Sequence, residues 1–168
     1  MIQLSIPISE EDVLNLNVGD IVEISGYILC GRDAVLPKIL RMIEDGTVKE
    51  LGVDLHGQVI FHTAVSPAGV GPTSSNKLEI ESSIEPLSKA GIRLHLGKGK
   101  LHSETLAALD KYNAAYAVIP PVTALLGAKT TEQKVVAFPE LGIEALYLIK
   151  VDKYPAIIGA VHGRSIYD

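Results

Sequence analysis

Ile92-Arg93-Leu94-His95-Leu96-Gly97-Lys98-Gly99 opens the stretch whose reading decides the fold. Ile92 to Leu96 is short and apolar and reads as a strand. A glycine-bounded turn follows it. Ser103 to Tyr112 then repeats apolar residues at helical spacing, with Leu106, Ala107 and Leu109 expected to face inward. Ala115 to Ile119 reads as the next strand, stopped by Pro120-Pro121. Strand, turn, helix and strand in that order mark an α/β chain.

Outward from this unit the same reading continues. Ser9-Glu10-Glu11-Asp12 offers a hydroxyl cap followed by acids in the first turn, so a short helix is expected there, ending near Gly19. Ile21 to Leu29 is β-branched and reads as a strand. Leu36 to Ile43 has helical spacing, with Pro37 in its first turn and a stop at Asp45-Gly46. Val59 to Val65 reads as a strand leading into a Gly/Pro-rich turn at Ser66 to Pro72. Ile80 to Lys89 reads as a helix carrying Pro86 and ending at Gly91, and Val122 to Ala128 as a small helix. Lys134 to Phe138, Glu144 to Val151 and Ala156 to Val161 read as strands. Helices alternate with strands in the middle and strands dominate both ends, which makes the fold class mixed α/β.

The 168 residues fit one domain, residues 1–168, long enough to bury a core. Hydrophobic residues make up 47% and aromatics only 5%, so disorder is excluded and the core must be aliphatic. The net charge of −5 leaves no basic footprint for nucleic acid. No apolar run has the length of a membrane span. Met1 to Ser9 lack the basic start and apolar middle of a secretory leader, and a single cysteine suits a reducing compartment, so a cytoplasmic location is expected.

Two turns carry groups suited to an anion. Gly71-Pro72-Thr73-Ser74-Ser75 sets three hydroxyls after a Gly/Pro pair, and Gly97-Lys98-Gly99 places a cation between glycines. Backbone N–H groups at such turns can point at carboxylate or phosphate oxygens. Neither turn completes a nucleotide motif: His102 stands where Gly-x-Gly-x-x-Gly needs its third glycine, and Asn76-Lys77-Leu78 stands where a P-loop needs Gly-Lys-Ser/Thr. The five histidines lie scattered without metal-ligand spacing; His62 and His95 read as structural. Cys30, at a strand end beside Gly31, reads as a small buried hydrophobe. One cysteine cannot by itself hold metal or iron–sulfur chemistry, so these turns point to part of an active site.

Gly31-Arg32-Asp33-Ala34, Gly71 to Ser75 and Gly97-Lys98-Gly99, taken together, resemble the β-subunit or C-terminal part of the iron–sulfur-dependent hydro-lyases, the class I fumarases and L-tartrate dehydratases. Pro139-Glu140-Leu141-Gly142-Ile143-Glu144-Ala145, Tyr154-Pro155-Ala156 and the closing His162-Gly163-Arg164-Ser165-Ile166-Tyr167 add to it. The resemblance runs from about Val18 to Tyr167. It implies a swivelling β/β/α domain closing over a 4Fe–4S cluster held by a partner α-subunit, with none bound here, and an assembly of αβ pairs. The implied reaction adds or removes water at a four-carbon dicarboxylate such as malate or fumarate.

Carried over by position, the resemblance implies that Arg32 binds a substrate carboxylate with Asp33 as its orienter. Thr73 would take part in proton transfer, activated by an acid of the partner, because a free hydroxyl is too weak a base. Lys98 would neutralise the charge developing on the substrate. Gly71, Pro72, Ser74, Gly97 and Gly99 would line the pocket, and Lys77 would add a second cation. The family pattern carries Arg where Lys77 stands, Ala-His after Arg-Asp where this chain continues Ala34-Val35-Leu36, and Asn where Arg164 stands. A point charge at Lys77 lacks the planar fork of Arg. These departures leave room for a different hydroxy acid, such as tartrate or a methylated analogue, or for a binding module without the chemistry.

Overall fold

A computed structural model of the chain describes residues 1–31, 33–66, 69–73, 77–119 and 130–167, without the side chains of 64–66, 69–73, 77–80 and 130–131. Its elements in order are β1 (Ile2–Ser5), α1 (Glu10–Leu14), β2 (Ile21–Cys30), α2 (Leu36–Asp45), β3 (Val59–Phe61), β4 (Thr63–Ser66), β5 (Gly69–Thr73), α3 (Lys77–Lys89), β6 (Leu94–Gly97), α4 (Ser103–Lys111), β7 (Ala115–Val118), β8 (Thr130–Ala137), β9 (Leu146–Val161) and β10 (Arg164–Ser165). Two 3-10 turns, Val48–Leu51 and Pro139–Glu144, stand between them.

Local chemistry accounts for the helix ends. Ser9 Oγ accepts the Asp12 N–H at 3.0 Å while Asp12 Oδ2 accepts the Ser9 N–H at 3.0 Å, a reciprocal cap that starts α1. α2 begins with Pro37 in its first turn and stops where Gly46 adopts φ +74°, a conformation glycine reaches without a Cβ penalty. α3 runs through Pro86 to Lys89.

β1, β2, β3, β6 and β7 run parallel, in that spatial order. β9 is antiparallel to both β2 and β7, so the pairing path returns to β2 and the sheet closes on itself. The enclosed core is aliphatic, with Val22, Ile24, Ile28, Val59, Leu94, Leu96, Ile149 and Ile158 around Phe61 and Tyr154. The outer face of β2 and β3 packs Leu29 and Ile60 against Ile39 of α2 and Leu87 of α3. Tyr116 and Ala160 pack with Ile84 of α3 and Leu106 and Leu109 of α4.

Several expectations change, beginning with the single strand expected over Val59 to Val65, which is two, β3 and β4, in different sheets. Gly69–Thr73 is not a turn but the second arm of a hairpin, β4–β5. The two strands expected from Glu144 to Val161 are one, β9, whose halves both pair with β2 on either side of a bulge between Ile24 and Gly26. On α4 it is Ala108 that is buried, and Ala107 is exposed. β1 was not anticipated; it adds to β2 in register Ile2↔Val22. The small helix expected over 122–128 lies outside the described residues.

Candidate active site

The parallel strands end together. Gly31 N–H donates to Phe61 O at 3.1 Å, His62 N–H to Leu96 O at 3.2 Å, and Ile119 N–H to Gly97 O at 3.2 Å. These bonds lace the C-terminal tips of β2, β3, β6 and β7 into one edge. In α/β folds with parallel strands, closed or open, ligands gather beyond the carboxyl ends of the strands. The hairpin folds back on the same edge: Thr73 pairs with Thr63, two residues beyond the end of β3.

The three sequence segments singled out above therefore converge. Gly31 and Asp33 leave β2, Gly71, Pro72 and Thr73 belong to the returning arm of the hairpin, and Gly97, Lys98 and Gly99 leave β6. Arg32, Ser74 and Ser75 lie outside the described residues, and Lys77 is placed as the first residue of α3. Lys98 is exposed and Asp33 half-buried. Gly99 holds φ +84°, which the turn after β6 requires. Gly97 has another reason to be glycine: a Cβ there would lie 3.0 Å from the Tyr116 hydroxyl. Val35, where the resemblance leads one to expect His, and Leu36 are buried against the outer face of the sheet.

Two carboxylates that the sequence reading missed fasten these loops. Glu144 Oε1 accepts the Ala34 N–H at 3.3 Å, holding the turn that contains Asp33. Glu81 Oε1 accepts the His102 N–H and the Thr105 hydroxyl, each at 2.8 Å, and Oε2 accepts from His102 Nδ1 at 2.6 Å. Burial alone would raise the Glu81 carboxyl; the hydrogen bonds from His102 and Thr105 outweigh it and hold the group below the usual carboxylate range. The one available signal was spacing: Glu81 follows Lys77 by four residues and shares its helix face.

Behind the edge, His62 and His95 are both fully buried, and Ser88 Oγ of α3 lies 2.8 Å from His95 Nε2. Burial lowers His62 to about 4 and, with the neighbouring His62 adding to it, lowers His95 as well, so both rings are neutral near pH 7. Cys30 is buried inside the closed sheet, where loss of hydration raises its thiol. Among the described residues no group of three or more His, Cys, Asp or Glu could hold a metal ion. An iron–sulfur cluster does not fit the described part of this chain, whose one thiol is sealed in the core.

A closed α/β sheet with the turns after β2 and β6 and the β4–β5 hairpin at one edge defines the class of domain. The fumarase C-terminus family matches residues 1–168, and the chain belongs to that family. It is 27% identical to the L(+)-tartrate dehydratase subunit beta of Escherichia coli K12 over 176 residues, covering 97% of this chain and 85% of that protein. It is 30% identical to the putative L(+)-tartrate dehydratase subunit beta of Methanocaldococcus jannaschii, covering 96% and 88%. It is 31% identical to the putative fumarate hydratase class I of Geobacillus stearothermophilus, covering all of this chain but 34% of that protein. No described helix is long and apolar enough to cross a membrane.

Proposed function

We propose that this chain is the β-subunit of a two-subunit hydro-lyase of the tartrate dehydratase and class I fumarase kind. It forms a single swivelling β/β/α domain that closes over an α-subunit in the cytoplasm. The pair adds or removes water at a four-carbon hydroxy-dicarboxylate, malate and fumarate foremost, with tartrate or a methylated analogue as the neighbouring choices. The 4Fe–4S cluster of such an enzyme is assigned to the partner, and no step at it is carried here.

The observation that supports this reading most directly is the convergence of the Gly31, Thr73 and Gly97 segments on one sheet edge, with Thr73 opposite Thr63. A dicarboxylate needs two anchors and a proton-transfer group at fixed spacing. Arg32, oriented by Asp33, grips one carboxylate with its planar fork. Lys98, helped by Lys77, neutralises the charge that builds on the substrate as a proton leaves the adjacent carbon. Thr73 passes that proton, activated by an acid of the partner. Gly71, Pro72, Ser74, Gly97 and Gly99 bring backbone close to the substrate.

The test is anaerobic co-purification followed by assay. A stoichiometric partner bearing cluster cysteines, and dehydration of malate or tartrate by the pair but not by this chain alone, would support the reading. Recovery of the chain by itself, or a pair inert toward every hydroxy-dicarboxylate tried, would overturn it in favour of a binding module.

A further inference from the structure

Lys98 sits in a very short span between two fixed ends. Upstream, Gly97 is the last residue of β6 and pairs with Val118. Downstream, Leu101 is 3% exposed and His102 is captured by Glu81. Glu81 does not belong to this span. It lies on α3, one turn after Lys77, and α3 follows the hairpin arm that ends at Thr73. Both carboxylate oxygens are used, and all three donors come from the first residues after the Lys98 loop.

The chemistry of the contact is strong for its size. The Glu81 side chain is 8% exposed at the floor of a surface groove, whereas the His102 side chain is 80% exposed. Hydrogen bonds to an ionised carboxylate are about twice as strong as neutral ones. We propose that Glu81 is a positioning residue of the dicarboxylate site, holding the start of α4 against α3 and thereby fixing Lys98 relative to Lys77 and Thr73. The inference rests on the hydro-lyase reading above. Glu81 touches no substrate; it acts through Lys98.

The test uses the reconstituted complex with Glu81→Ala and Glu81→Gln, and Glu85→Ala as control. Glu85 is exposed one turn further along α3, on the same surface groove. In both Glu81 variants amide hydrogen exchange over residues 98–105 should quicken at least about ten-fold, and KM for the turned-over dicarboxylate should rise about ten- to a hundred-fold, the scale set by misplacing a charged group. Glu85→Ala should change neither. Added to Lys98→Ala, Glu81→Ala should cost little more, since both remove one interaction. Should Glu81→Ala fail to fold, Glu81→Gln, which keeps the shape, carries the test. Unchanged exchange and kinetics in a working complex, or losses at Glu81 and Lys98 that multiply independently, overturn the clasp alone. A wild-type complex with no turnover overturns the hydro-lyase reading, and this proposal with it.

Discussion

His62 of the β3 tip and His95 of β6 stack on each other, ring centroids 6.0 Å apart and planes 16° apart, in the layer between the sheet and α3. Neither nitrogen of His62 has a hydrogen-bond partner among the described residues. The pair is therefore a neutral filler directly behind the sheet edge that carries the candidate site, and it makes the fold sensitive to acid.

The sign follows from the lowered folded-state value. Above about pH 6.5 His62 is neutral whether folded or unfolded and contributes no pH dependence. Between about 6.5 and 4 the unfolded chain takes up a proton that the folded chain refuses, so stability falls with pH. At pH 5 the loss is about 2 kcal/mol from His62, and His95 adds in the same direction. Urea unfolding at pH 7 and pH 5 should show this loss, and His62→Phe should flatten it. An equal pH dependence in His62→Phe would assign the acid sensitivity elsewhere.

Gly31 is expected to resist substitution for a steric reason. A Cβ there would lie 2.7 Å from Val35 Cγ1, and Val35 is fully buried at the start of α2. Gly31→Ala should destabilise by about 1–3 kcal/mol through overpacking. Val35→Ala added to it should recover part of that loss, although Val35→Ala alone also destabilises. Thermal melts of the three variants measure the coupling; simple additivity would contradict the contact.

Cys30 should be silent to thiol reagents in the folded chain. It is wholly buried and its thiol is held in the protonated form, whereas the thiolate is the reactive species. Titration with a chromogenic disulfide should find no reactive thiol in native buffer and one in denaturant. Prompt native labelling would mean that the closed sheet opens far more easily than its packing implies.

Lys77→Arg should tighten substrate binding by the reconstituted pair several-fold. A guanidinium fork can hold a carboxylate through two parallel bonds, which an ammonium cannot. The measurement is KM against malate and tartrate side by side. A gain for malate alone would mark Lys77 as a determinant of which hydroxy acid is used.

The sequence was most legible where structure is local. The Ser9 cap, the Gly46 stop and the strand–turn–helix run from β6 to α4 could be read from neighbouring residues, because their hydrogen bonds close within a few positions. It was least legible where partners are distant. Gly69 to Thr73 reads as a turn by composition, yet strand pairing with Thr63 to Ser66 overrides that. Asp152 to Pro155 reads as a break between strands, yet Pro155 is accommodated opposite Glu23. Of the candidate site, the three loop segments were visible as short motifs. The carboxylates that fasten them were not: Glu81 meets His102 from 21 positions away and Glu144 meets Ala34 from 110, and no local pattern encodes such contacts.

β9 is the one strand that answers to both walls of the closed sheet, lying along β2 and then crossing to β7. The two seams meet at Ile157, which pairs with Ile21 of β2 and Val118 of β7, so loosening one is expected to loosen the other. Opening is then expected as a single cooperative event for the backbone amides of β2, β7 and β9, which native-state hydrogen exchange reports. Residues beyond the strand tips can thus change without drawing on the stability of the hoop that carries them.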